Sequence, residues 1–219
     1  MSQHFGPAPC WRVIATRVPS ADLFGGITDF SEWEEVAAIE NLFNERSLGA
    51  LGKLALVPRS DRAYGPGSAY IMAPFAYLAP GRFGDGTFGV LYVGLSENTA
   101  LAEVAWHKAR FMRDWSEPKQ TNDFQVLNLT FRGEVEDIRA SQAALPDVYD
   151  PVSWAAGQVL GGQARTAGMD GIAYASVRRP GGECLAGFRP SAFSHCRFLR
   201  YEQFFWDGSS LHAAGLPPF

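Results

Sequence analysis

The clearest periodic pattern in the chain predicts a helix over residues 99–114. Its apolar residues recur every three or four positions, which places them on one face that packs against a core. This stripe consists of Leu101, Val104, Ala105, Phe111, Met112 and Trp115. At about 100° per residue, Glu103 falls almost opposite the stripe, so its carboxylate is expected to project from the polar face of the helix.

Runs of apolar and β-branched residues, bounded by glycine, proline and polar residues, predict a set of short strands. They cover residues 11–16, 70–75, 89–93, 124–131, 171–177, 183–188 and 196–205. Strands outnumber helices, and the two do not alternate regularly along the chain. The pattern therefore predicts an α+β fold with a mixed or split β-sheet and flanking helices.

Capping signals predict two further helices. The stretch Ser31-Glu32-Trp33-Glu34 has the form of a capping box, and it opens a helix expected to run to about residue 46. Asp150-Pro151 combines a favoured N-cap with proline in the first helical position. Gly168 is the expected stop of that helix, because glycine readily adopts the left-handed conformation after a last turn.

Composition and charge narrow the class of protein. Of the 219 residues, 47% are hydrophobic and 19% are charged, which suits one well-packed domain. The net charge of −4, without a cluster of lysine and arginine, argues against direct binding of nucleic acid. No apolar run is long enough to span a bilayer, and the first residues lack the pattern of a signal peptide.

Cysteine usage indicates a reducing compartment. Cys10, Cys184 and Cys196 are odd in number and have no CxxC spacing. A disulfide framework is therefore not expected, and the cytoplasm is the expected location.

Three positions on or before the predicted 99–114 helix carry candidate chemistry. Glu103 is either a solvated residue on an exposed helix face or a carboxylate in a cleft that binds a ribose hydroxyl and stabilises a cationic transition state. Tyr92 is either a core tyrosine or a ring that stacks on a planar heterocycle such as nicotinamide. Arg82 lies in an exposed glycine-rich loop and offers a fork to phosphate, but that loop is neither a Walker motif nor a Rossmann GxGxxG.

Two serines have a similar double interpretation. Ser153 falls in the first turn of the helix that Asp150-Pro151 opens. There it either holds a diphosphate together with neighbouring N–H groups or only helps its own helix to start. Ser176 ends the strand at residues 171–177 and is either a ligand-binding residue or a turn residue.

Other catalytic patterns are poorly supported. Glu103 and His107 share a helix face, and His195 precedes Cys196, but neither HExxH nor paired CxxC spacing accompanies them. No metal is therefore expected. A serine hydrolase is not supported either, because the GxSxG motif does not occur.

Several of these residues belong to short motifs that follow one another in a characteristic order. The motifs are Trp11-Arg12, Gly81-Arg82-Phe83, Val90-Leu91-Tyr92-Val93, Ala100-Leu101-Ala102-Glu103, Ser153 on a helix, and Gly171-Ile172-Ala173-Tyr174-Ala175-Ser176-Val177. In this order they resemble the RES family, which is named for its arginine, glutamate and serine. Val93-Gly94 departs from the small residue commonly seen after the tyrosine. The family serine is carried by either Ser153 or Ser176.

The resemblance implies one domain over residues 1–219. Its core covers about residues 11–206, with an insertion at about 31–67 that is longer than in compact members. A tail follows at about 207–219, and its residues 211–219 are expected to be loose coil.

The resemblance also implies a fold like the diphtheria-toxin type of ADP-ribosyltransferase and an activity that consumes NAD⁺ as substrate. It implies that Arg82, helped by Arg12, holds the diphosphate, with Ser153 or Ser176 contributing to binding. Tyr92 would stack on nicotinamide, and Glu103 would bond the ribose. Glu103, Tyr92 and Arg82 are thus the expected catalytic residues.

A biological role follows from the same resemblance. The expected protein is the toxin of a bacterial toxin–antitoxin pair, and its partner is an Xre-type helix-turn-helix antitoxin that covers the active site. Water, phosphate or a side chain of a host protein would accept the ADP-ribose. The alternative is a non-catalytic nucleotide-sensing or interaction domain on the same fold.

Overall fold

The computed structural model describes residues 2–15 and 57–213, which form the predicted α+β fold. Seven strands build one mixed sheet, and three α-helices pack against it. The strands are β1 Ser2–Ala15, β2 Leu91–Gly94, β3 Gln120–Asp137, β4 Gly171–Ala175, β5 Glu183–Gly187, β6 Phe193–Trp206 and β7 Leu211–Ala213. The α-helices are α1 Ser68–Ala76, α2 Glu97–Asp114 and α3 Ala155–Thr166, and short 3-10 turns lie at Arg59–Asp61 and Pro190–Ala192.

Strand β3 is where the sheet divides. The first edge of β3 pairs antiparallel with most of β1. On the opposite edge, β6 pairs antiparallel with Gln120 to Phe131, and β4 pairs parallel with Val135 to Asp137. From β4 the order continues through β5 and β2 back to β1. The pairing of Trp11 with Gly94 then closes five strands into a ring, while β6 and β7 branch off.

Helix α2 confirms the helix that the periodic pattern predicts, but two residues of the predicted apolar face are exposed. Leu101, Ala105 and Met112 are buried and pack with the β3–β6 part of the core. Phe111 and Trp115, in contrast, are 41% and 71% exposed. Phe111 comes two positions after the buried Ala109, which at about 100° per residue turns it to the opposite face. Trp115 already follows the last helical residue.

Segment 70–75 was expected to be a strand and is instead part of helix α1. Its buried residues Ile71, Met72, Phe75 and Ala76 recur with helical spacing. A short apolar run fits a buried strand or a buried helix equally well, because the run is too short for its period to show. The expected strand is therefore wrong.

Two further expectations differ from the structure, and one agrees with it. Asp150-Pro151 does not start a helix: the Asp150 carboxylate accepts hydrogen bonds from the N–H groups of Val152 and Ser153, and α3 begins only at Ala155. Gly168, with φ of 83°, stands just beyond α3 as expected. Leu211–Ala213 was expected to be coil but forms β7, because the fully buried Leu211 packs in the core.

Three features of the chain complete the comparison. The helix predicted over residues 31–46 lies outside the described residues. No helix within the described part of the chain is long and apolar enough to cross a membrane. All three cysteines are free thiols and buried.

Candidate active site

A cleft of about 570 Å³ opens where β1 meets β2, beside α2 and the loop that precedes β2. Four of the predicted site residues line it. They are Arg12, Arg82, Tyr92 and Glu103. The further lining residues that matter below are Trp154, His107, Arg178 and Cys184.

Glu103 is held in this cleft by Ser176. The Ser176 hydroxyl donates to Oε1 of Glu103 over 2.5 Å. The backbone N–H groups of Arg178 and Arg179 donate in turn to the Ser176 Oγ, at 3.1 and 3.0 Å. Because this oxygen already accepts two hydrogen bonds, its own proton is directed to the carboxylate. Ser176 therefore orients Glu103.

A buried thiol completes the surroundings of the same carboxylate oxygen. Cys184 Sγ lies 3.7 Å from Oε1 of Glu103. Burial raises the pKa of the Cys184 thiol well above its usual range, and the negative charge of Glu103 acts in the same direction. The thiol is therefore protonated at neutral pH and donates weakly to Glu103.

Arg82 is buried, although its loop was expected to be exposed. Only 7% of the residue is accessible. Its Nη1 donates to the carbonyl oxygens of Val148 and Asp150, at 2.7 and 2.9 Å. The expectation of an exposed loop is wrong because α3 packs directly on it: a Cβ at Gly161 would lie only 2.0 Å from the Phe83 carbonyl oxygen. Arg82 thus lines the cleft and also connects its loop to the segment that contains Val148 and Asp150.

Tyr92 reaches the same loop from strand β2. Its hydroxyl accepts a hydrogen bond from the Phe83 N–H over 2.9 Å. Burial raises the pKa of Tyr92 to about 12, against the lowering effects of that hydrogen bond and of the Arg82 charge. The phenol is therefore neutral at physiological pH, and its ring forms part of the cleft wall.

Arg12 enters the cleft from strand β1. Its Nη1 donates to the carbonyl oxygen of Tyr70 in helix α1. Burial lowers the pKa of Arg12 to about 10, so it remains charged at neutral pH.

Ser153 is not brought together with these residues. It is exposed, lies two positions before α3, and does not line the cleft. Its N–H donates to Asp150 and its hydroxyl accepts a 3.4 Å hydrogen bond from the Ala155 N–H. These are the contacts of a residue that shapes the turn before a helix.

Sequence reasoning missed Arg178 as a residue of the cleft. Its guanidinium lies 3.3 Å from the centre of the Trp106 ring, and its Nη2 donates to the Pro151 carbonyl over 2.5 Å. Burial lowers the pKa of Arg178, and the negative charge of Glu103 opposes that shift. The signal available in the sequence was its place two residues after Ser176, in the turn that begins where β4 ends.

His107 lies one helical turn after Glu103 and faces Trp154, at 6.4 Å between ring centres. Partial burial lowers the pKa of His107 to about 4, and the charges of Arg178, Arg110 and Arg82 act in the same direction. The imidazole is therefore neutral at pH 7.

The charges of the cleft indicate the class of ligand that it suits. Arg12, Arg82 and Arg178 supply three cations, and Glu103 supplies one carboxylate. Such a wall favours a ligand with more than one negative charge that also places a cationic or polar group beside the carboxylate. In residues 2–15 and 57–213, no group of three or more His, Cys, Asp or Glu side chains is arranged to hold a metal ion.

Comparison with known proteins identifies the family. The sequence model described as RES domain matches residues 57–207, a span that contains Arg82, Tyr92, Glu103 and Ser176. The chain belongs to the RES-domain family. Strand β1 lies before the matched span, but it pairs with β2 and β3 in the sheet of this RES domain.

Two further similarities extend over most of the chain. This chain is 27% identical over 205 residues to uncharacterized protein y4oC of Sinorhizobium fredii (strain NBRC 101917 / NGR234). The aligned residues cover 92% of this chain and 84% of that protein. The structure of this chain is similar to a chain in the crystal structure of the M. tuberculosis MbcT–MbcA toxin–antitoxin complex. That match has a TM-score of 0.48 and 12% identity, over 95% of this chain and 88% of the other.

Proposed function

We propose that this RES domain is a toxin that breaks the nicotinamide–ribose bond of NAD⁺ and transfers the ADP-ribose to an acceptor. The observation that carries the proposal is the orientation of Glu103 by Ser176 in one cleft with Arg82 and Tyr92. In this proposal Arg82, Glu103 and Ser176 are the arginine, glutamate and serine for which the family is named. Ser176 rather than Ser153 is the serine of this proposal, because only Ser176 of these two serines contacts Glu103.

The chemistry of NAD⁺ suits the charges of the cleft. Its diphosphate carries the negative charge that the arginines attract, and its pyridinium ring is the cationic group that suits a carboxylate. A volume of about 570 Å³ lies within the usual range for small-molecule sites. In this proposal Arg82 and Arg12 bind the diphosphate and Tyr92 packs against nicotinamide.

Glu103 has one oxygen available for the reaction. Ser176 and Cys184 both contact Oε1, while no residue of the described ranges donates to Oε2. Oε2 accepts a hydrogen bond from a ribose hydroxyl and stabilises positive charge that develops on the ribose. The bond between C1′ and the ring nitrogen breaks, and its electron pair leaves with neutral nicotinamide. An acceptor oxygen then bonds to C1′ and loses its proton to solvent.

The acceptor defines which product forms. Transfer to water gives free ADP-ribose, transfer to phosphate gives ADP-ribose 1″-phosphate, and transfer to a host protein gives a labelled protein. Incubation of the protein with NAD⁺ labelled on adenine, in phosphate buffer and with a bacterial lysate as source of host proteins, distinguishes these products. We expect one of the three to form with release of nicotinamide. Intact NAD⁺ that is bound but not consumed would instead favour the nucleotide-sensing alternative.

The toxin role rests on the family resemblance, which also implies an Xre-type helix-turn-helix antitoxin as partner. Expression of the wild-type protein alone in bacteria should arrest growth and lower cellular NAD⁺ or label a host protein. The Glu103→Ala variant should be tolerated, and co-expressed antitoxin should restore growth of the wild type. Harmless expression of active, folded wild-type protein without a partner would contradict the toxin role, and toxicity of Glu103→Ala would contradict an NAD⁺-dependent mechanism.

A further inference from the structure

Arg178 is the arginine of the cleft that has a shielded donor without an acceptor. Its Nη2 is taken by the Pro151 carbonyl. Its Nε is shielded from solvent and finds no acceptor, and no described residue accepts from Nη1. A shielded donor of a charged group without an acceptor is costly and rare in folded proteins. It is a reason to look for a missing acceptor.

The other two arginines of the cleft differ in this respect. Nη1 of Arg82 already serves two carbonyl oxygens, and Nη1 of Arg12 serves the carbonyl of Tyr70. Both side chains therefore hold the walls of the cleft together. Arg178 lines the same cleft and donates to the Pro151 carbonyl, but its shielded Nε is left without an acceptor.

The plane of the Arg178 guanidinium is set by an aromatic ring. Its Cζ lies 3.3 Å from the centre of the Trp106 ring, so the group stacks on an uncharged aromatic surface that supplies no countercharge. No ion pair joins Arg178 to a carboxylate in the described ranges, and Glu103 itself is not within ion-pair distance of it. The stacked guanidinium is thus oriented before any ligand binds.

A single hydroxyl links Arg178 to the catalytic carboxylate. The backbone N–H of Arg178 donates to Ser176 Oγ, and the Ser176 hydroxyl donates to Glu103. Arg178 and Glu103 are thereby attached to the same serine, and both side chains line the cleft.

We infer that Arg178 binds the diphosphate of the ligand and that Trp106 is a positioning residue for its guanidinium. The identity of the ligand rests on the proposed function, whereas the assignment of an anion to Arg178 rests on its unused donors. The competing role for Arg178 is to balance the charge of Glu103 from a distance.

A binding experiment without turnover tests the inference. ADP-ribose keeps the diphosphate and cannot lose nicotinamide, so its Kd is measured by calorimetry for wild type and Arg178→Gln. We expect Arg178→Gln to weaken ADP-ribose binding about 10- to 100-fold, the usual range for a charge-assisted hydrogen bond. Arg110→Gln is the matched control: Arg110 also faces the Trp106 ring, at 5.7 Å, but does not line the cleft, and its Kd should stay within about twofold of wild type.

A double-mutant cycle separates the two roles of Arg178. If Arg178 binds the diphosphate, its replacement weakens ADP-ribose binding equally in the wild-type and Glu103→Gln backgrounds. If it balances the charge of Glu103, the effect disappears once residue 103 is uncharged, and the inference is overturned. An unchanged Kd in Arg178→Gln, or wild-type protein that does not bind ADP-ribose, overturns it as well.

Thermal unfolding of each variant keeps the result interpretable. If Arg178→Gln fails to fold, Trp106→Leu takes its place, because it removes the stacking surface and leaves the charge. That variant should bind ADP-ribose several-fold more weakly, and unchanged binding overturns the role of Trp106. Arg178-dependent binding of ADP-ribose by a protein that never consumes NAD⁺ would support the inference and contradict the proposed function.

Discussion

Ser176 and Glu103 are 73 positions apart in the chain, and the Ser176 hydroxyl donates to the Glu103 carboxylate over 2.5 Å. The contact joins the end of β4 to the first half of α2. Ser176 is fixed by the turn that follows it, because two N–H groups of that turn donate to its oxygen. The position of the carboxylate is therefore set by a turn outside its own helix.

Ser176→Ala should reduce NAD⁺ turnover about tenfold and change KM little. Glu103 keeps its charge but loses the donor that orients it, and removal of one positioning hydrogen bond costs about 1 to 2 kcal/mol. Steady-state kinetics with NAD⁺ measures the effect.

Ser153→Ala is the control for this prediction. Ser153 is exposed and its side chain makes only a 3.4 Å contact with the Ala155 N–H, so turnover should equal that of wild type. A large loss of turnover in Ser153→Ala with full activity in Ser176→Ala would reverse the choice of family serine.

Glu103→Gln should lower NAD⁺ turnover about 100- to 1000-fold, because a neutral amide no longer stabilises positive charge on the ribose. The fold should remain, since the glutamine carbonyl still accepts from Ser176. Circular dichroism and thermal unfolding test that point.

Glu97→Gln is the matched change on the same helix. Glu97 pairs with Arg200, 2.7 Å away at the protein surface, and exposed pairs contribute about 1 kcal/mol or less. Turnover should be unchanged. Wild-type turnover in Glu103→Gln would show that the carboxylate is not catalytic, and loss of the fold would show that it is structural.

The sequence predicted the parts of the site that depend on local pattern. Helix α2 and the polar face that carries Glu103 follow from a period of 3.6 residues, and Tyr92 follows from the strand before it. The choice between Ser153 and Ser176 could not be made, because it depends on which of two distant turns meets α2. Arg178 was missed for the same reason: stacking on Trp106 is a tertiary contact without a local signal.

The fold was predicted to a similar depth. The mixed, split sheet was expected from irregular strand order, but no pattern indicated that β3 pairs with β6 and β4 along one edge. Helix α1 was taken for a strand because its apolar run is short. The burial of Arg82 also escaped prediction, since a glycine-rich loop is typical of exposed turns and gives no sign of the helix that covers it.

Arg82→Ala should lower the free energy of unfolding by about 2 to 4 kcal/mol, because the carbonyl groups of Val148 and Asp150 lose their shared donor inside the protein. Urea denaturation measures this loss. In folded variant protein, KM for NAD⁺ should rise more than kcat falls, as expected for a residue that binds the ground state and the transition state alike.

Arg82→Lys separates the structural and binding contributions. It keeps a charge and a donor, so it should recover part of the stability. Unchanged stability in Arg82→Ala would mean that the two carbonyls find other donors. A loss confined to kcat would contradict a role in holding the diphosphate.

Gly161→Ala should destabilise the protein by about 1 to 3 kcal/mol, the usual cost of overpacking a filled interior. Its new Cβ would lie 2.0 Å from the Phe83 carbonyl oxygen, so α3 must move away from the loop that carries Arg82. ADP-ribose binding should weaken together with stability, because that loop forms one wall of the cleft.

Gly162→Ala is the control in the same helix. No atom lies within 4 Å of a Cβ at Gly162, and alanine favours a helix interior over glycine by about 0.5 to 1 kcal/mol. Chemical denaturation should therefore show a gain in stability for Gly162→Ala, with ADP-ribose binding unchanged. If both substitutions stabilise the protein, α3 does not press on the loop. If Gly161→Ala loses stability but binds ADP-ribose as wild type does, the contact supports the fold without shaping the cleft.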